Sequence, residues 1–240
     1  MRRTGSRAAL AAALMCAGLL SACAARVPAG EVPALPSPPS GPTARVPELT
    51  NKHVDLVEKE FPAAGLVALI RYEPGLLLEA GTVAVTDPPP GTIAPAGSVV
   101  RVVVAGAPKN LDDYIRGNHE VFLGAGLSSD GTLVLSVYQK GAEAGAVIEG
   151  ARKYITAKQY RVVSCPRSRV ELEQVQIELS RREFLPRAGE LKFSTQVDPA
   201  SCALRLSADL TDDETEQLMK RFEGALVIER GSGAGYGVRT

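Results

Sequence analysis

The two histidines of the chain, His53 and His119, are its main candidates for general-base or metal chemistry. A Ser-His-Asp arrangement would have to use His119, but no G-x-S-x-G sequence supplies the nucleophile. No serine is followed three positions later by a lysine, and no H-E-x-x-H sequence offers a zinc site. We therefore interpret His119 as a surface or boundary residue and predict no catalytic residue, metal site or cofactor.

A cysteine near the N-terminus indicates a different chemistry, the attachment of lipid. Three arginines precede residues 8–20, an apolar stretch too short to span a bilayer. The sequence Leu-Ser-Ala-Cys follows and ends at Cys23. This tetrad resembles a bacterial lipobox, in which the cysteine thiol takes a diacylglycerol before cleavage. The sequence thus predicts a lipoprotein signal peptide at residues 1–22 and an acylated Cys23; the alternative is an ordinary secretory signal in which Cys23 is incidental.

Two further cysteines, Cys165 and Cys202, lie in the mature part of the chain. In an exported, oxidising setting an isolated pair is best interpreted as one disulfide. Two free buried thiols are the rival interpretation. Two ligands without a nearby histidine cannot complete a tetrahedral zinc site.

Length and charge narrow the classes of function. Removal of residues 1–22 leaves 218 of the 240 residues, with 24 basic and 27 acidic side chains and a net charge of −3. This length suits two small domains, and the mildly acidic balance argues against a nucleic-acid partner. Residues 23–45 contain six prolines and predict a semi-extended tether behind the lipidated cysteine. The glycine-rich residues 232–240 predict a flexible tail.

Residues 46–107 carry the most specific pattern. Val54, Val57 and Phe61 recur at helical spacing and mark an apolar stripe. The strand candidates are residues 66–72, 81–85 and 98–105. Together these elements predict one helix lying across a small three-stranded sheet.

The turns of this stretch carry a family resemblance. It opens with Val-Pro-Glu-Leu at position 46, turns at Ala-Ala-Gly-Leu (63–66) and passes Pro-Pro-Pro-Gly-Thr (88–92) before its last strand. Over 62 residues without a gap it resembles a PASTA domain, the module found on the outer-surface parts of penicillin-binding proteins and membrane serine/threonine kinases. The resemblance implies recognition of peptidoglycan or its fragments, with no chemistry of its own.

Both ends of the predicted helix depart from the family pattern. Asn51 and His53 stand where the family commonly has a glycine and a Ser or Thr cap. Asparagine tolerates the left-handed conformation and can itself cap a helix, so the fold survives the change. Pro62 falls where the family continues its helix, and we predict that the helix ends at or just before Phe61.

Ligand contacts are nominated from residue type, since the family has no single invariant binding motif. Tyr72, Glu73 and Arg101 lie on or beside predicted strands, and their polar or amphipathic ends could contact a sugar-peptide polymer. The alternative for each is an ordinary solvated surface residue.

Residues 108–231 predict an α+β domain built from a degenerate internal repeat. Each copy runs strand, strand, helix, strand, at residues 121–127, 132–137, 143–158 and 160–164, and then at 192–197, 203–208, from 211 onward and 225–230. Three identical pairs are 71 positions apart: Leu133 and Leu204, Leu135 and Leu206, and Ser136 and Ser207. A helix over residues 168–185 bridges the copies, and capping boxes are predicted for Ser168 with Glu171 and for Thr211 with Glu214.

The order of these elements resembles the propeptide domains of streptogrisin-type and alpha-lytic-type secreted serine proteases. The residues that carry the resemblance are Gly-Ala-Gly at 124–126 and Val-Asp-Pro at 197–199, each beside a hairpin. Such domains act as folding chaperones and inhibitors of the protease that follows them. Because no protease follows in this sequence, we take the resemblance to support an α+β fold and not a propeptide role.

The sequence therefore predicts an α+β chain with a small PASTA-like domain and a second domain of two similar units. We expect a non-catalytic lipoprotein, lipid-anchored on the extracytoplasmic face of the cell membrane, that binds peptidoglycan or muropeptides weakly. The alternative is a binder or inhibitor of an exported partner protein that acts through residues 108–231, with the PASTA-like domain as a spacer.

Overall fold

The computed structural model describes residues 41–128, 130–138 and 144–231. The predicted signal peptide, Cys23, nearly all of the predicted tether and the glycine-rich tail lie outside these residues. The described part has the predicted α+β fold, with small sheets and short helices. None of its helices combines the length and the apolar character needed to cross a membrane.

The N-terminal domain (residues 43–106) is a helix packed on a three-stranded sheet, as predicted. Its elements are β1 (Thr43–Arg45), α1 (Val57–Ala63), β2 (Val67–Glu73), β3 (Val83–Asp87), β4 (Ile93–Pro95) and β5 (Val99–Ala105). The sheet has the order β2-β5-β3, in which β5 runs parallel to β2 and antiparallel to β3. The central strand is therefore the last one in the sequence, and β2 is left at an edge.

The core of this domain follows from the two periodicities in the sequence. Val100, Val102 and Val104 alternate along β5 and are fully buried on one face of the sheet. Val57 and Phe61, one helical turn apart on α1, are also fully buried and belong to the same core. The apolar residues whose spacing predicted the helix and the last strand are thus the residues that pack in the core.

The predicted end of the helix is wrong. The helix α1 continues through Pro62 and ends at Ala63. A proline near the C-terminal end removes only one hydrogen-bond donor, and burial of Phe61 holds the last turn in place. The exposed carbonyls of that turn are satisfied because the Gly65 amide donates to the Pro62 oxygen at 3.0 Å and the Leu66 amide donates to the Phe61 oxygen at 2.9 Å.

Residues 43–45, which composition placed in the tether, are part of the N-terminal domain. They form β1, which pairs antiparallel with β4 as a separate two-stranded sheet. Ala44 is buried between the two strands and the core, at 7% exposure. The folded region therefore begins before residue 46.

The second domain (residues 108–231) contains the predicted repeat as two similar sheets. Its elements are α2 (Leu111–Arg116), β6 (Phe122–Leu127), β7 (Leu133–Val137), α3 (Ala144–Ala151), β8 (Tyr160–Ser164), α4 (Arg169–Ser180), β9 (Phe193–Asp198), β10 (Ala203–Ala208), α5 (Asp212–Arg221) and β11 (Leu226–Arg230). The sheets have the orders β6-β7-β8 and β9-β10-β11. In both, the middle strand is antiparallel to the strand before it and parallel to the strand after the helix, so the two units share one topology.

The two units are joined by α4 and by a disulfide. Both predicted capping boxes are present, at Ser168 on α4 and at Thr211 on α5, which fixes where these helices begin. The bond between Cys165 and Cys202 ties the residue after β8 to the hairpin between β9 and β10. Ser136, buried in β7, donates a hydrogen bond to the Pro199 oxygen of the same hairpin at 2.6 Å. The contact between the units is therefore both covalent and hydrogen-bonded.

Candidate ligand-binding cleft

Tyr72, Glu73 and Arg101, nominated from the sequence, line one cleft. Its volume is about 700 Å³ and it lies between the N-terminal domain and the second domain. The strands β2 and β5 supply one wall. The other wall comes from residues 117–121, which connect α2 to β6, together with two residues of α3.

The strand register explains how the charged residues come together. Leu69 is paired with Arg101 and Arg71 with Val103, and alternate residues of a strand share one face. Arg71, Glu73 and Arg101 consequently lie on the sheet face opposite to α1, and all three are exposed. The cleft thus presents two guanidinium groups and one carboxylate from the first domain.

Tyr72 points to the other face of the same strand and reaches the second domain. Its hydroxyl donates to the Asp113 carboxylate at 3.3 Å, and burial raises the pKa of this phenol. Its ring lies against Gly117, where an added Cβ would come within 2.8 Å of the ring edge. Only glycine fits there without moving the ring, so the packing of this turn fixes the position of Tyr72.

An ion-pair network beside the cleft connects the two domains that form its walls. The Arg116 guanidinium lies 3.0 Å from Glu58 of α1 and 3.1 Å from Asp113, and its side chain is only 15% exposed. Burial disfavours its charge, but the contacts with Tyr72 and Glu58 outweigh that penalty and raise the pKa of Arg116. A charge-assisted pair of this kind fixes the orientation of α2 on the first domain.

His119 is not a surface residue, which corrects that part of the prediction. It is 8% exposed and lies at the boundary between the two domains, where it lines the cleft. Burial, assisted by the positive charges of Arg169 and Arg116, lowers the pKa of His119 to about 3. The imidazole is therefore neutral at physiological pH, with one donor and one acceptor nitrogen.

The cleft contains functional candidates that residue type alone did not reveal. Arg71 could have been nominated, because it alternates with Glu73 along a predicted strand. Asn118 and Glu120 come from the second domain and carry no local signal for this position. Among residues 41–128, 130–138 and 144–231, no group of three or more His, Cys, Asp or Glu side chains is arranged to hold a metal ion.

The side chains that line the cleft offer hydrogen bonds and charges of both signs. Arg71 and Arg101 can donate to carboxylates, while Glu73 and Glu120 can accept from ammonium or hydroxyl groups. Its volume lies within the range of about 300–1,000 Å³ that is usual for small-ligand sites.

Comparison with known proteins identifies the first wall of the cleft. No curated protein was found to match the chain. Residues 44–106 match the family model described as PASTA domain. The N-terminal domain, which brings Tyr72, Glu73 and Arg101 to the cleft, is therefore a PASTA domain.

Proposed function

We propose that this protein is a non-catalytic envelope lipoprotein that binds peptidoglycan or its soluble fragments through the cleft. The observation that carries the proposal is the match of residues 44–106 to the PASTA domain, whose resemblance implies that ligand class. The placement of Tyr72, Glu73 and Arg101 in one cleft supports it.

The side chains of the cleft suit a polymer of amino sugars and short peptides. Such a polymer offers carboxylates to Arg71 and Arg101, and ammonium or hydroxyl groups to Glu73 and Glu120. Exposed charges contribute only modest free energy, because water competes for each contact. A single module also lacks the avidity of tandem copies, so binding is weak.

Co-sedimentation with purified peptidoglycan tests the proposal. We expect the full chain to pellet with the polymer and Arg101→Gln to pellet several-fold less. Arg161→Gln is the matched control, because Arg161 is an exposed arginine on β8 that does not line the cleft. Equal pelleting of all three proteins, or of none, would reject the cleft as the binding site.

We further propose that acyl chains on Cys23 hold the protein on the extracytoplasmic face of the cell membrane. Each buried methylene of an acyl chain contributes about 0.8 kcal/mol, so several chains give stable anchoring. Membrane fractionation tests this anchor. The unchanged protein should stay with the membrane fraction and Cys23→Ser should leave it; retention of Cys23→Ser would show that another part of the chain is the anchor.

A further inference from the structure

A second cavity, of about 430 Å³, lies on the α4 side of β2. We call it the α4 cavity. Both domains line it, and a large part of its wall is apolar. The apolar residues that matter here are Val57, Leu66, Ala68, Ile70 and Ile177. Like the cleft, it falls within the usual volume range of about 300–1,000 Å³ for small-ligand sites.

The charged groups of the α4 cavity are already paired. The Arg169 guanidinium forms an ion pair with Glu173, four residues along the same helix, and donates to the Leu123 oxygen at 3.0 Å. The Glu58 carboxylate is held by Arg116 at 3.0 Å. A bound molecule with a net charge would therefore find no free counter-charge among the residues that line this cavity, and a charge that leaves water without a partner is destabilising.

The groups that remain available for a ligand are neutral. His119 also lines the α4 cavity, and its ring nitrogens have no hydrogen-bond partner among the residues that the structure describes. The Gln176 amide nitrogen donates to the Thr195 hydroxyl at 3.2 Å, which leaves the Gln176 carbonyl oxygen as an acceptor. These nitrogens remain accessible, so a ligand in the cavity can complete their hydrogen bonds.

We propose that the α4 cavity is a second binding site, which takes a small uncharged molecule with an amide-like donor and acceptor and a branched aliphatic body. The aliphatic body packs on Pro62 and Ala68, the more accessible apolar residues of the wall. The amide hydrogen-bonds with His119 and Gln176. This site is separate from the cleft proposed to bind the wall polymer, although His119 and Ile70 line both.

Three probes with the same aliphatic body and different charge test the proposal on the full chain. They are N-acetylleucine methylamide, which is neutral, N-acetylleucine, which is an anion, and leucine methylamide, which is a cation at pH 7. Isothermal titration should show saturable binding of the neutral probe and about tenfold or greater weakening for each charged probe. No binding of the neutral probe, or equal binding of all three, would overturn the proposal.

Two matched substitutions locate the site. Ala68→Ile adds bulk to the wall of the α4 cavity and should lower the affinity for the neutral probe at least about tenfold. Ala84 is likewise half-buried in an edge strand of the same sheet but lines neither cavity, so Ala84→Ile should bind as the unchanged chain does. Unchanged binding by Ala68→Ile, with circular dichroism showing it folded, would place the probe elsewhere. These titrations contain no peptidoglycan, so their outcome is independent of the function proposed for the cleft.

Discussion

Replacement of both Cys165 and Cys202 by alanine should lower the free energy of unfolding of the second domain. The disulfide closes a loop with a sequence separation of 37 and joins the two units of the repeat. Without it, the unfolded chain gains the freedom that the closed loop had removed. The folded state keeps its other contacts between the units, including the hydrogen bond from Ser136 to Pro199.

The size of the effect follows from the loop length. In the chain-entropy model, closing a loop of this separation contributes about 4 kcal/mol at 25 °C. Both sulfurs are buried, but alanine at each position removes only one heavy atom, so lost packing adds little. We therefore expect the double variant to lose an unfolding free energy close to the contribution of loop closure alone.

Urea unfolding followed by far-ultraviolet circular dichroism measures this loss. The oxidised full chain is compared with the double variant and with Cys165→Ala alone. Because either substitution breaks the bond, the single and double variants should be destabilised by similar amounts. A loss below about 1 kcal/mol for the double variant would show that loop closure is not what the disulfide contributes.

Two further predictions concern the boundary between the domains. The pKa of His119 is about 3 in the folded chain and ordinarily near 6.5, so its contribution to stability is complete above pH 6.5 and is lost as the pH falls toward 3. Lowering the pH from 7 to 5 should cost about 2 kcal/mol of unfolding free energy, and in His119→Gln this loss should disappear; an equal loss in both proteins would contradict the assignment. A double-mutant cycle between Arg116 and Glu58 should give a coupling of about 1 kcal/mol, because Arg116 is largely buried. The more exposed pair of Arg152 and Glu149 should give less than about 0.5 kcal/mol, and equal couplings would show that burial does not strengthen the first pair.

Local sequence predicts those parts of the fold in which the residues that form the pattern also make the stabilising contacts. Val100, Val102 and Val104 alternate because one face of β5 is buried. Ser168 and Thr211 start helices because each has a glutamate three residues later that completes the cap. Such signals involve only near neighbours, so they can be found without knowledge of the tertiary structure.

The elements that the sequence did not reveal are short or held by distant partners. The helix α2 has only six residues, although Asn110 caps it by accepting from the Asp113 amide. The three-residue strands β1 and β4 are too short to show a period, and each exists because the other lies beside it. Pro62 was overestimated as a helix terminator because the burial of Phe61 is a tertiary effect.

The lining of the candidate cleft could be predicted only on the side of the PASTA domain. Residue type and strand position were enough to nominate Tyr72, Glu73 and Arg101. The contributions of Asn118 and Glu120 depend on how the second domain packs against β2, which no local pattern encodes. His119 was assigned to the surface or to a boundary, and its burial could not be predicted for the same reason.

The most direct test of the central claim is to locate a bound wall fragment on the protein. The isotopically labelled full chain is titrated with a soluble disaccharide-peptide fragment of peptidoglycan, and backbone amide shifts are followed by nuclear magnetic resonance. The proposed function predicts weak, saturable shifts concentrated in β2, β5 and residues 117–121, the walls of the cleft. Shifts concentrated in the sheet β9-β10-β11, or none at a high excess of the fragment, would contradict it.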